Sequence, residues 1–426
     1  MRSAICSTDY AAYVAAWDGA ARAGLRQLNL DTWAAGRRYL SLTSVVLSAA
    51  EAAQLKAMTP RFSKLLDAAV DGILADSDWW SSLAWPWPAI ELAHQEPAHP
   101  GGLASLYGRF DCLLGEGGAW QVVEYNADTP SGGREATGLE PLAARMYPGM
   151  RGLSGRLARL LVSTLRARIE HHPRPVRLVG VVSSHGWLED MAQATWLAWL
   201  LRRAGQPTLV GDVTDLATRR GRITLRGRPI DALYRFYPIE RLYRHAIFAS
   251  LCEASIDGRL LILNGLRGFL AQSKACLAWL WSNRVKLGAS AERTIERHLP
   301  PTFLVRAPAA AEWVPHGVVK HVNGREGDSV VFGTSIDAAG WEARLIEGGY
   351  VVQRAVASPA LDDVEVDDLQ RQVRCVGPRY ACVGAFAIGG RFGGCYTRLD
   401  GPITSAQATY AATVREPAAA GAARRR

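Results

Sequence analysis

The chain has 426 residues, of which 49% are hydrophobic and 21% are charged, and its formal net charge is +9 at pH 7. This composition is typical of a folded globular protein with two or three lobes, and it excludes a disordered chain or a fibre. No apolar run approaches the roughly 20 residues that a membrane-spanning helix needs. We therefore expect no membrane partner.

The cellular location is predicted from the first residues and from the cysteines. The N-terminal stretch lacks the uninterrupted apolar segment of a signal peptide. The seven cysteines are an odd number and form no C-x-x-C pair, which is typical of reduced thiols. These features predict a cytoplasmic protein.

The positive charge comes from arginine, because the chain has only five lysines: Lys56, Lys64, Lys274, Lys286 and Lys320. The arginines are spread along the chain and form no basic stripe interleaved with aromatic residues. The charge therefore does not predict a nucleic-acid partner. A position that does carry lysine becomes informative.

The first 105 residues are predicted to be mainly helical. Apolar residues recur at helical spacing in 47–55 and 62–74, and Pro60 is expected to separate two helices. The sequence WWSSLAWPWP follows and predicts a packed loop.

The rest of the chain alternates strand-like and helical segments. Apolar runs bounded by glycine or proline predict strands at 106–114, 120–125, 176–182, 208–210, 232–237, 317–322, 330–333, 350–355, 380–388 and 391–397. Helices are predicted at 153–170 and 190–204, and the second forms a β-α-β unit with the strands on either side of it. The fold class is therefore α/β or α+β with mixed sheets. Residues 416–426 are predicted to be a disordered tail.

The sequence YGRFDCLLGEGGAWQVVEYNADTPSGG contains the first candidate site. If Gly117-Gly118 forms a two-residue hairpin turn, Asp111 faces Glu124 and Arg109 faces Asn126, all on one side of the hairpin. Opposed carboxylates repel unless a cation lies between them, and two carboxylates with an amide suit Mg²⁺. A solvated sheet face with an arginine–carboxylate network fits the same pattern.

The sequence VVKHVNGREGDSVVFG contains the second candidate site. Lys320 lies in an apolar strand and is followed by a loop with Gly324 and Gly327. A lysine beside a glycine-rich loop is a common way to hold a polyphosphate, because backbone N–H groups can approach its oxygens. The sequence is not a P-loop, and a plain β-hairpin with an exposed loop fits it as well.

Together these motifs resemble glutathionylspermidine synthase and its relatives, the circularly permuted ATP-grasp carboxylate–amine ligases. The resemblance covers residues 106–414 and rests on six motifs: R-x-D from Arg109, EYNADTP at 124–130, SKACLAWLW at 273–281, K-x-x-x-G-R-E-G from Lys320, YVVQ at 350–353, and CYTRLDGPIT with Arg398. The metal-ligand motif precedes the nucleotide lysine, which is the reverse of the order in an ordinary ATP-grasp enzyme.

The resemblance implies a set of site residues. Two Mg²⁺ ions would be held by Asp111, Glu124 and Asn126. ATP would be bound by Lys274, Lys320, Gly324, Arg325, Gly327, Gln353 and Arg398. Arg109 would be the catalytic residue that stabilises an acyl phosphate and the tetrahedral intermediate.

The resemblance also suggests where the substrates bind. Glu189 and Asp190 would receive a cationic amine, although carboxylates are favourable at any helix N-terminus. Arg235, in the sequence LYRFYPIE, would bind a substrate carboxylate.

The implied organisation has a helical region at 1–105, a metal-ligand hairpin with a β-α-β substrate lobe at 106–262, and an ATP-binding lobe with a glycine-rich loop at 263–415. The implied activity is ATP- and Mg²⁺-dependent formation of an amide bond between a carboxylate, on an amino acid or peptide, and an amine. The partners would be these small molecules, and a homodimer is left open. The alternative is a catalytically silent nucleotide-binding or scaffold protein with the same fold.

Overall fold

The computed structural model describes residues 1–5, 7–22, 33–34 and 37–417. The predicted tail at 416–426 lies outside the described residues except for its first two positions. Among the described helices, none combines the length and the apolar character that crossing a membrane requires.

Strands are spread along the whole described chain. In chain order they are β1 (Arg2–Ala4), β2 (Trp33–Ala34), β3 (Arg37–Arg38), β4 (Leu40–Leu47), β5 (Tyr107–Leu114), β6 (Trp120–Asn126), β7 (Arg151–Gly152), β8 (Val179–Ser183), β9 (Thr208–Asp212), β10 (Leu216–Arg219), β11 (Arg222–Leu225), β12 (Arg228–Pro229), β13 (Ala232–Arg235), β14 (Leu261–Ile262), β15 (Thr302–Leu304), β16 (Gly317–His321), β17 (Val331–Phe332), β18 (Tyr350–Arg354), β19 (Ala360–Asp367), β20 (Gln372–Ile388), β21 (Arg391–Asp400) and β22 (Thr409–Arg415).

Helices connect and cover these strands. In chain order they are α1 (Tyr10–Arg22), α2 (Ala49–Leu74), α3 (Trp87–Gln95), α4 (Gly133–Met146), α5 (Leu157–Glu170), α6 (Leu188–Arg203), α7 (Ile239–Leu242), α8 (Ile247–Ile256), α9 (Leu266–Gln272), α10 (Lys274–Asn283), α11 (Ala289–His298), α12 (Ala310–Trp313) and α13 (Ala338–Glu347). The loop predicted for WWSSLAWPWP is instead largely a 3₁₀ helix, Ser77–Leu83, followed by α3.

A nine-stranded sheet forms the centre of the protein. Its order is β1-β4-β22-β21-β20-β5-β6, with β19 paired to β20 and β7 paired to β22. Neighbouring strands are antiparallel except β22 and β4, which are parallel. The sheet takes strands from all three predicted regions of the chain, whose boundaries at 105 and 262 stay a prediction.

The two faces of this sheet have different roles, as the alternation along β5 illustrates. Phe110 and Cys112 belong to the apolar core that includes residues of α2. Arg109 and Asp111 point to the opposite face, where they line a cleft. The period of two in a strand therefore separates the structural core from the candidate site.

A four-stranded parallel sheet lies beside the cleft, in the order β14-β13-β8-β9. Helix α6 connects β8 to β9, so the predicted β-α-β unit is confirmed. A second four-stranded sheet, in the order β15-β18-β16-β17, is antiparallel and carries Lys320 on β16. Three smaller strands form the sheet β10-β11-β12.

The structure corrects the break predicted at Pro60, because α2 runs through this residue without interruption. A proline inside a helix removes the hydrogen bond to the carbonyl four residues earlier. Here that carbonyl belongs to Lys56, which lies on the exposed side of the helix. Leu55 and Phe62, on either side of the proline, are buried in the same core. Packing therefore holds the helix together.

Strand β4 was missed by the prediction that the first 105 residues are mainly helical. Its sequence, LSLTSVVL, is buried at every position, including its serines and threonine. Ser41 donates a hydrogen bond to the carboxylate of Asp363 at 2.9 Å, a partner more than 300 residues away. The strand therefore has no exposed polar face, although its first four residues alternate apolar and polar side chains.

Candidate active site

A cleft of about 1480 Å³ lies between the β5–β6 hairpin, the start of α6 and the loop after β16. Thirteen of the fourteen predicted site residues line it, and only Arg235 does not. The thirteen are Arg109, Asp111, Glu124, Asn126, Glu189, Asp190, Lys274, Lys320, Gly324, Arg325, Gly327, Gln353 and Arg398. The structure thus brings the motifs together, while the roles given to them stay predictions.

The hairpin pairs Asp111 with Glu124 and Arg109 with Asn126, as the sequence predicted. The predicted two-residue turn is wrong, however. The N–H of Gly118 donates to the carbonyl of Gly115 at 2.8 Å, and Gly118 has φ +70°, so the loop has three residues.

That longer loop shifts the register by one residue along the first half of the hairpin. A β-bulge between Asp111 and Cys112 then shifts it back, because Val123 has no partner on β5. The bulge thus restores the predicted pairing at the cleft.

Two arginines hold the carboxylate of Asp111, which is only 1% exposed. Arg109 donates to both of its oxygens, at 2.7 and 3.0 Å, and Arg398 donates to Oδ2 at 2.6 Å. Asn126 adds a hydrogen bond at 3.0 Å. Burial alone would raise the pKa of Asp111, but the charges of Arg109 and Arg398 hold it below its ordinary value.

Lys274 links the hairpin to the glycine-rich loop. Its Nζ donates to Oε1 of Glu124 at 3.0 Å and to the carbonyl oxygen of Gly324 at 2.8 Å. The lysine is the first residue of α10, and its backbone N–H donates to Val322 at 2.9 Å. One buried cation therefore joins the predicted metal ligands to the predicted phosphate loop.

Lys320 is buried beside Glu124 and Lys274. Its Nζ donates to Oε1 of Gln353 at 2.7 Å and to the carbonyl of Val123 at 3.3 Å. Burial, with the added charge of Lys274, lowers the pKa of Lys320 to about 8, and Glu124 opposes the change. The side chain of Gln353, a predicted ATP ligand, is therefore turned to this lysine.

The donor set at the hairpin fits a magnesium ion in its chemistry. Asp111 and Glu124 supply carboxylate oxygens, and Asn126 uses its amide nitrogen on Asp111, which leaves its Oδ1 to act as a ligand. Such oxygen-only sets suit Mg²⁺. No cluster of three or more histidine, cysteine or carboxylate side chains suited to a metal occurs within residues 1–417 as far as they are described.

The opposite end of the cleft is acidic. Glu189 and Asp190 lie in the first turn of α6, and Glu326 projects from the glycine-rich loop, where its φ is +53°. Burial, with the added charges of Glu326 and Glu189, raises the pKa of Asp190 to about 7, against the opposing charge of Arg325.

Arg325 lies between carboxylates from two other segments. Its guanidinium donates to both oxygens of Glu240, at 2.6 and 3.0 Å, and to Oδ2 of Asp128. It also donates to the hydroxyl of Thr129 at 3.0 Å. The predictions had not singled out Asp128 or Glu240, although both lie inside the quoted motifs EYNADTP and LYRFYPIE.

Arg235 is the one predicted site residue that the structure does not bring to the cleft. It is 1% exposed and lies outside the cleft, where it forms an ion pair with Asp128. Its guanidinium also donates to the carbonyls of Tyr237 and Asn264, at 2.9 and 3.0 Å. The arginine does bind a carboxylate, but that carboxylate belongs to the protein.

Mixed sheets, a β-α-β lobe and a cleft lined by a carboxylate hairpin and a glycine-rich loop define a mixed α/β protein of the ATP-grasp, glutathione synthetase type. The structure of a glutathione synthetase-like effector, GSS30, from Globodera pallida matches with a TM-score of 0.64. It covers 96% of this chain and 98% of its own, at 10% identity, which shows a shared fold.

The chain belongs to the glutathionylspermidine synthase preATP-grasp family, whose profile matches residues 17–415. The resemblance seen in the motifs is therefore confirmed, and the family indicates a carbon–nitrogen ligase. A putative gamma-glutamylcysteine synthetase from Methylobacillus flagellatus matches with a TM-score of only 0.42, at 12% identity over 84% of this chain and 86% of its own. No curated protein matches the sequence.

Proposed function

We propose that this protein is an ATP- and Mg²⁺-dependent carboxylate–amine ligase. The observation that carries the proposal is the contact of Lys274 with both Glu124 and the Gly324 carbonyl. A hairpin that holds Mg²⁺ and a loop that binds phosphate can act on the same ATP only when one triphosphate reaches both. A shared buried cation between them supports that arrangement.

The charges at this end of the cleft suit a polyphosphate. Four basic side chains, those of Arg109, Arg398, Lys274 and Lys320, line it together with the carboxylates of Asp111 and Glu124. This excess of positive charge favours an anion, and the arginine forks suit phosphoryl oxygens.

Asp111, Glu124 and Asn126 would hold Mg²⁺, which when bound neutralises negative charge on the phosphate oxygens. The residues of the chain do the rest. Lys274 and Lys320 would orient the triphosphate, and the glycine-rich loop would exclude water from it.

The proposed reaction has two steps. A substrate carboxylate attacks the γ-phosphorus of ATP, forming an acyl phosphate and releasing ADP. The substrate amine then attacks the acyl carbon, and phosphate leaves as the amide forms. Arg109, fixed by Asp111 and by the carbonyl of Ser131 at 3.0 Å, would stabilise the charge on the acyl oxygens.

The acidic end of the cleft supports a cationic amine as the second substrate. Glu189, Asp190 and Glu326 would attract an ammonium group from water. The amine must lose a proton before it can attack, and a carboxylate with a pKa of about 7, that of Asp190, is suited to accept it.

The decisive experiment measures ADP release with pools of candidate acids and amines, followed by mass spectrometry of the product. We expect release that requires both an acid and an amine, and a product whose mass is their sum less one water. Nucleotide binding with no amine-dependent ADP release would instead identify a catalytically silent nucleotide-binding protein.

A further inference from the structure

The glycine-rich loop is tied across the cleft by a single side chain, that of Arg325. Four hydrogen bonds join its guanidinium to Glu240, Asp128 and Thr129, which belong to two segments far away in the sequence. The pair with Glu240 is bidentate, which is the strong geometry for arginine and carboxylate. All of these contacts are made by the chain's own residues.

Asp128 is a fixed point in this arrangement. Its side chain is 0% exposed and its other oxygen pairs with Arg235 on β13. The backbone N–H of Ile239 donates to Oδ2 at 3.2 Å, and Asn264 donates to the backbone carbonyl of Asp128 at 2.7 Å. The carboxylate therefore lies rigidly between the parallel sheet and the loop.

The loop holds an unfavourable backbone conformation at two residues that carry side chains. Glu326 and Ser329 have φ values of +53° and +63°, in the left-handed region that side chains rarely adopt, and Gly327 lies between them. Such a segment needs contacts elsewhere to hold one conformation. Arg325 supplies the strongest of them on the side that faces the substrate lobe.

We propose that Asp128 and Glu240 are positioning residues that hold the loop 323–329 closed over the cleft through Arg325. Arg325 is then a latch between the phosphate loop and the substrate lobe. The inference rests on the proposed function only for its effect on turnover, because the closure of the loop is measured separately.

Closure through this latch fixes both ends of the cleft at once. The same loop presents the Gly324 carbonyl to Lys274 and carries Glu326 into the acidic end. When the latch is weakened, ATP should bind less tightly, and water should reach the acyl phosphate before the amine does. The signature is ADP release that no longer depends on the amine.

The first test is hydrogen–deuterium exchange of the full-length protein, read on peptides that contain 323–329. Glu240→Gln should speed exchange in this loop by about tenfold, since it removes one of the two charges that hold Arg325. Arg325→Lys keeps the charge but loses the fork that contacts all three residues, so it should also speed exchange in this loop. The control is Glu253→Gln, which removes an exposed pair with Arg259.

The second test is steady-state turnover of the same variants. Glu240→Gln should raise KM for ATP several-fold and increase amine-independent ADP release, whereas Glu253→Gln should leave both unchanged. Asp128→Asn should change KM and ADP release in the same direction. If Asp128→Asn does not fold, Glu240→Gln alone tests the proposal, because the side chain of Glu240 is 36% exposed and its substitution should leave the fold intact.

The outcomes separate the two proposals. Unchanged exchange of 323–329 in Glu240→Gln overturns the latch, whatever the activity. Faster exchange in a protein whose unaltered form releases no ADP supports the latch and overturns the ligase.

Discussion

Asp111 and Glu124 are direct cross-strand partners, yet each carboxylate is bound by different cations. Asp111 accepts hydrogen bonds from Arg109 and Arg398, and Glu124 accepts one from Lys274. Two facing carboxylates would otherwise repel each other. The cations come from three separate elements, so the charge balance of the hairpin exists only in the assembled fold.

Glu124→Gln should abolish turnover while the protein stays folded. The substitution keeps the size of the side chain but removes the negative charge proposed to bind Mg²⁺, and we expect ADP release to fall by at least about 100-fold. The measurement is Mg²⁺-dependent ADP release beside a thermal melt. Glu116→Gln, at the exposed hairpin loop, is the matched control. Full activity in Glu124→Gln would refute the metal assignment.

ATP affinity should fall as the pH rises above about 8. Burial lowers the pKa of Lys320 to about 8, so the lysine is charged below this pH and neutral above it, and only the charged form attracts phosphate. The loss should approach about tenfold per pH unit well above the pKa. Titrations of ATP binding between pH 6.5 and 9.5 measure it. Lys320→Arg should remove the pH dependence of ATP binding. An ATP affinity that rises with pH in the unaltered protein would contradict the prediction.

KM for the amine should fall as the pH rises from about 6 to 8. The pKa of Asp190 is raised to about 7, so its carboxylate gains the charge that attracts a cation across this range. The assay uses saturating ATP, which separates this effect from that of Lys320. Asp190→Asn should give a flat profile, and the exposed Asp257→Asn should behave as the unaltered protein. If KM for the amine still falls with pH in Asp190→Asn, the titrating group is a residue other than Asp190.

Pro60→Ala should stabilise the protein. Proline in a helix interior costs about 3 kcal/mol relative to alanine, and the greater freedom of the unfolded alanine chain offsets up to about 1 kcal/mol of this. We therefore expect the free energy of unfolding to rise by about 2 kcal/mol in denaturant titrations. Pro97→Ala, in an exposed loop after α3, is the control. A lower stability of Pro60→Ala would mean that the proline ring contributes packing.

The site was predictable from the sequence where residues close in the chain meet. The hairpin that carries Asp111 and Glu124 is local, so a turn and a period of two were enough to pair them. The predicted turn was wrong, and the pairing held only because Val123 forms a bulge. A bulge cannot be recognised from the amino-acid types that form it. The predicted pairing of Asp111 with Glu124 was therefore correct because of a feature that the sequence does not show.

The errors occurred where distant residues decide the structure. Arginine is a residue type that often binds a substrate carboxylate, and only the folded structure shows that Arg235 forms an ion pair with Asp128. Likewise, the serines and threonine of β4 are typical of a surface segment, but in the folded protein Asp363 accepts a hydrogen bond from the buried Ser41. In each case a buried polar side chain is satisfied by a partner that spacing along the chain cannot identify.

The pairing of Asp111 with Arg398 joins residues 287 positions apart, and this has a consequence for synthesis on the ribosome. The hairpin can form with Arg109 as soon as β6 emerges, but Arg398, the second arginine on Asp111, is translated near the end of the chain. Until then the carboxylate of Asp111, which is buried in the folded protein, has only one of its two arginines. Folding with such high contact order is slow, and nascent chains that stop before β21 should be aggregation-prone.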